Sequence, residues 1–141
     1  MKQLLALLLM GVVLTTSSCS KDDDDNSPSA AVSTSLKSGT WRITSFSENG
    51  VDHTSDFSSF TFTFGNSGTV TAANSILTAT GSWSTGLDDS QHKLILDFNS
   101  GALFDEISED WEIVSQSSTQ VSLRHVSGGS GGTDLLVFQK N

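Results

Sequence analysis

From residue 39 onward, apolar and polar positions alternate with a period of two, the pattern of strands that bury one face. Trp41 and Ile43 share a face, and Asn49-Gly50 marks a tight turn after them. The clearest strand is 60–64, with Phe60, Phe62 and Phe64 on one side and Thr61 and Thr63 on the other. Gly65-Asn66-Ser67-Gly68 folds it back onto 69–72 as a hairpin. A weaker strand over 76–83 ends in Gly81-Ser82-Trp83, a polar loop covers 87–91, and 93–98 aligns Leu94, Leu96 and Phe98. The rhythm changes at 102–107, where Leu103, Phe104 and Ile107 are spaced as one helical face, so a short helix is predicted. Strands resume over 111–114 and 120–126, and a Gly-rich loop over 127–132 leads into a last strand at 134–140.

That pattern predicts an all-β domain of about eight short strands with one short helix. Eight strands joined by hairpin-length connections can close on themselves and leave no exposed edge, so an up-and-down meander barrel is expected over 39–141. A β-sandwich has the same local signals and is the alternative. Each fully buried Phe or Leu should contribute about 1.5–3 kcal/mol, which makes the Phe triplet a substantial part of the core.

The N-terminus follows a different pattern. Residues 1–3 are short and basic, 4–14 are apolar, and 15–18 are small and polar, the layout of a secretory signal peptide over 1–18. The apolar run is shorter than the roughly 20 residues of a spanning helix. Cys19, the chain's one cysteine, follows at once, and then Lys21 and four aspartates, Asp22, Asp23, Asp24 and Asp25. Residues 26–38 are rich in Ser and Ala, lack apolar periodicity and are expected to form a flexible linker.

Composition narrows the function classes. The 141 residues carry a formal net charge of −9, which disfavours gripping nucleic acid. One cysteine excludes an internal disulfide framework and a thiolate zinc site. The aspartate run does not fit a calcium-binding EF-hand: counted from Asp22, Ser27 and Ser33 occupy the positions that need Gly and Glu.

Three resemblances add to this reading. The stretch from Thr16 to Cys19 resembles the lipobox of bacterial lipoproteins, in looser form like that of Bacteroidetes, which implies acylation of Cys19 and attachment to the membrane through its chains. Lys21 and Asp22 to Asp25 resemble the acidic export tag of surface lipoproteins in those bacteria, which implies an outer-membrane location facing the cell surface; a periplasm-facing anchor is the alternative. Gly39-Thr40-Trp41 resembles the lipocalin Gly-x-Trp signature. The order of the later pieces, from the Phe-x-Phe-x-Phe strand to the short helix before Trp111, is similar to small lipocalin-like lipoproteins, across essentially all of 39–140.

Candidate chemistry is sparse. Residues 128–132 match a Gly-x-Ser-x-Gly nucleophile elbow, but that motif needs a strand-to-helix turn and here lies between two strands. His53, His92 and His125 are not at ligand spacing; His53, with Asp52 and Asp56 nearby, reads as part of a solvated loop. Asp88-Asp89 and Glu109-Asp110 are adjacent acids in turns rather than pairs across a cleft. No enzyme activity, cofactor or metal is expected. Trp83 and Trp111 sit at strand ends and, with Phe104, could line a barrel mouth. The expected function is therefore binding of a small apolar or amphipathic ligand there, with Arg42 or Arg124 holding its polar end. The alternative is a filled barrel acting as a non-catalytic interaction module for a partner protein or glycan.

Overall fold

The computed structural model describes residues 26–129 and 131–141. The expected signal peptide over 1–18, Cys19, Lys21 and Asp22 to Asp25 lie outside the described residues. Strands β1 (Trp41–Glu48), β2 (Val51–Asp52), β3 (Thr61–Phe64), β4 (Thr69–Ala73), β5 (Thr78–Asp88), β6 (Gln91–Phe98), β7 (Asp110–Gln116), β8 (Gln120–Val126) and β9 (Thr133–Lys140) form one antiparallel sheet in the order β2-β1-β3-β4-β5-β6-β7-β8-β9. Pairing of β9 back onto β1 closes eight of them into a barrel, while the two-residue β2 only extends the β1 hairpin. The closed ring excludes the sandwich. Bulges between Ile43 and Ser45 in β1 and between Ile113 and Ser115 in β7 bend those strands, as closure requires.

The period-two pattern fixes which side chains face inward. Ala79, Gly81 and Trp83 of β5 point into the barrel, as do Leu94, Leu96 and Phe98 of β6. Gly81 is compulsory: a Cβ there would lie 2.7 Å from Phe98 Cα and closer still to the Asp97 carbonyl oxygen. The turn between β5 and β6 is tighter than the polar loop expected over 87–91. Asp89 and Ser90 both adopt positive φ, 48° and 63°, so two residues suffice to reverse the chain. Asn49 and Gly50 do the same between β1 and β2.

The stretch 28–36, expected within a flexible linker, is instead helix α1 (Pro28–Leu36). Ser27 caps it by accepting a hydrogen bond from Ala30 N–H at 3.2 Å, and Pro28 suits the first turn. Val32 and Leu36, four residues apart, are fully buried against the barrel. Two apolar contacts are enough to dock a helix but too few to show as periodicity. The helix packs on β5, β6 and β7 and covers the mouth where β1 begins. The opposite mouth is closed by a 3₁₀ turn (Thr54–Phe57) and by the expected short helix, α2 (Gly101–Asp105), through Phe57, Phe104 and Ile107.

Candidate functional site

All eight phenylalanines and three tryptophans are buried, and they belong to one continuous core. Edge-to-face and tilted ring contacts run from Trp111 through Phe46 (6.4 Å), Phe57 (5.6 Å), Phe104 (5.9 Å), Phe98 (5.0 Å), Phe62 (6.3 Å), Phe138 (5.2 Å) and Phe64 (5.5 Å) to Trp83 (5.4 Å). These aromatic pairs favour T-shaped geometry because the positive ring edge meets a negative face. The structure thus brings Trp83, Trp111 and Phe104 into one network, in which Trp111 and Phe104 are fully buried while Trp83 also lines an opening at the α1 end of the barrel.

Each indole N–H is also satisfied by the main chain. Trp41 donates to the Leu36 carbonyl at 3.1 Å and ties α1 to β1. Trp83 donates to the Gly65 carbonyl at 3.1 Å and pins the β3–β4 turn. Trp111 donates to the Ile107 carbonyl at 3.0 Å and anchors the segment after α2. Beside Trp83, an opening of about 230 Å³ lies between Ser33 and Lys37 of the α1 region and Asn66, Gly68 and Thr85. The Lys37 ammonium stands 5.9 Å from the Trp83 ring centroid, so α1 and this lysine narrow that mouth.

Arg42 and Arg124 do not join the aromatics. Arg42 lies outside the barrel at the β1–β9 seam, where it donates to Asn141 Oδ1 and Gln139 Oε1, both at 3.0 Å. Arg124 lies on the outer wall and donates from Nη2 (2.7 Å) and Nε (3.1 Å) to Glu112 Oε2. Both positions follow from alternation: Arg42 stands between inward Trp41 and Ile43, and Arg124 follows inward Leu123. That signal was present in the chain.

Arg124 does line a different feature. Register places Lys93, Glu112 and Arg124 side by side across β6, β7 and β8. Together with Asp88, Asp89, Asp110 and His125 they border an open polar groove of about 430 Å³ on the outer wall. Four carboxylates face two fixed cations there. His125 forms one edge, with its ring against Trp111 at 6.0 Å and its nitrogens 3.6 Å from Glu109 and Asp134. Asp134 is itself held by the Asn49 N–H at 2.9 Å. Sequence reasoning missed this groove because it depends on the register between strands, which alternation within a strand does not specify.

A second polar cluster gathers at the mouth opposite α1. His53, Asp56 and Glu106 bring one ligand atom each to within 4.8 Å of one another. Next to it, Asp52 Oδ1 accepts hydrogen bonds from the Thr54 hydroxyl (2.6 Å) and N–H (2.9 Å). Those two bonds, the hydroxyl's first, hold the Asp52 carboxyl below the usual carboxylate range, and a positive charge on His53 would act the same way.

No family model and no curated relative matches this chain. A crystal structure of a DUF4847 family protein from Bacteroides vulgatus ATCC 8482 matches it with a TM-score of 0.54 at 17% identity, covering 78% of this chain and 97% of that one, which makes the two alike in fold.

Proposed function

We propose that this chain is a lipid-anchored, non-catalytic interaction module: a filled barrel, held at the outer membrane through Cys19 and turned to the cell surface, that docks a partner protein through its outer wall. The observation that carries this reading is the aromatic column from Trp111 to Trp83, which occupies the axis where a ligand would otherwise sit. Helix α1 over one mouth and α2 with the 3₁₀ turn over the other support the same reading. A protein partner is favoured over a glycan because sugar rings stack on exposed aromatic faces, and here every Phe and Trp is buried. The acidic balance of the groove, on a chain of net charge −9, suits a partner that presents Lys and Arg.

Native mass spectrometry of the protein released from its own membrane tests the choice between a filled module and a carrier. The filled module predicts the mass of the acylated chain alone. A further lipid-sized adduct that survives desolvation would instead establish carriage of a small apolar or amphipathic ligand. In cells, a crosslinker placed at Asp89 should give one discrete product that is lost on Glu112→Lys; a product unchanged by that substitution removes the groove from the proposal.

A further inference from the structure

We propose that His53, Asp56 and Glu106 form a binding site for a divalent first-row transition cation. The three are of mixed donor type, one imidazole and two carboxylates, a set suited to zinc and its neighbours rather than to calcium or magnesium, which take oxygen alone. They come from two distant parts of the chain and meet only in the fold. His53 Nδ1 and Asp56 Oδ2 stand 3.3 Å apart. Two ligands about 2.0–2.1 Å from a tetrahedral zinc are separated by about 3.4 Å, so this pair already has the spacing such an ion needs.

Each donor is held by a neighbour in the core. The His53 N–H donates to the Phe46 carbonyl at 2.9 Å, and its ring lies 6.1 Å from that of Phe46. Asp56 directly precedes Phe57, and Glu106 directly precedes Ile107, both fully buried. Phe57 and Phe104 pack edge to face at 5.9 Å, which fixes the 3₁₀ turn against α2 and so sets Asp56 beside Glu106. The Asp52–Thr54 bonds stiffen the same turn and leave Asp52 engaged outside the cluster. Among the described residues, no Lys or Arg forms an ion pair with Asp56 or Glu106. Two carboxylates therefore converge with the His53 imidazole as their one basic neighbour among these pairs, an arrangement that a bound dication relieves. The side chains of His53 and Asp56 are 30% and 45% exposed, so an ion would have an entry path and room for water as a further ligand.

The test is a zinc titration of the full chain followed by ¹H–¹⁵N and imidazole NMR. A site-resolved readout is needed because Asp22 to Asp25 offer competing carboxylate ligands. Saturable shifts should centre on His53, Asp56 and Glu106, and Glu106→Gln should weaken binding at that site about tenfold or more while leaving the amide spectrum of the barrel in place. Glu106 is exposed, so the variant should fold as the parent does. Equal zinc affinity at His53 in the variant and the parent, or no saturable shift at His53, overturns the site.

Discussion

Phe104 shows how much a single ring can carry in so small a barrel. It touches Phe57, Phe60 and Phe98, with centroids 5.9, 5.2 and 5.0 Å away, and is 1% exposed. Phe104→Ala should destabilise the fold by about 3–5 kcal/mol, read from urea unfolding, because the neighbouring rings are buried and packed against one core and cannot fully collapse into the space. A loss under about 1 kcal/mol would mean that the site relaxes and the column is looser than described. At this scale the chain was readable: the alternation of Phe60, Phe62 and Phe64, and of Leu94, Leu96 and Phe98, gives the inward set directly. Phe57 was not legible, since it belongs to a 3₁₀ turn and has no periodic neighbours. The tryptophans illustrate the other limit. Their burial follows from strand position, whereas the carbonyls that accept their N–H bonds belong to segments that only the fold brings near.

Among the elements, α1 and the 3₁₀ turn depart most from what the chain suggests. Helix α1 looks like linker because only Val32, Leu36 and the half-polar Ser29 face the barrel. Its placement is tied by Trp41 and by Ser29, whose hydroxyl lies 3.0 Å from His92 Nδ1. The 3₁₀ turn depends on Asp52, and its response to acid follows from that. The folded carboxyl titrates below its ordinary value, so its contribution is fully present above the unfolded value and is lost as pH falls through the lower folded one. An acid titration followed at the Thr54 amide should therefore show a midpoint below that of an ordinary aspartate, and Asp52→Asn should abolish the step. A midpoint at or above the ordinary value would contradict the hydrogen bonds assigned to Thr54.

For the molecule as a whole, the decisive contact is the β1–β9 seam, which pairs Trp41 with Lys140 and Ser47 with Leu135. Removing residues 133–141 leaves β1 and β8 with open edges and takes Leu136 and Phe138 out of the core. The shortened chain should self-associate, seen as oligomers by size exclusion with light scattering; a folded monomer would show that closure is dispensable. The groove and the His53 cluster also belong to this scale, because each joins residues from separate strands or helices.

The sequence by itself determined the all-β class, the succession of the main strands, the inward faces of β1, β3, β6 and β8 and the position of the short helix, because period-two alternation and turn chemistry act between near neighbours. The same alternation carries the outward placement of Arg42 and Arg124, which the ligand-holding role expected of them overlooked. Only the tertiary structure chose the expected barrel over the sandwich, and it alone decided that the axis is filled by aromatic side chains, that 28–36 folds over one mouth, and that Glu106 meets His53 and Asp56. Those outcomes depend on register and on contacts between distant segments, and no spacing along the chain encodes them.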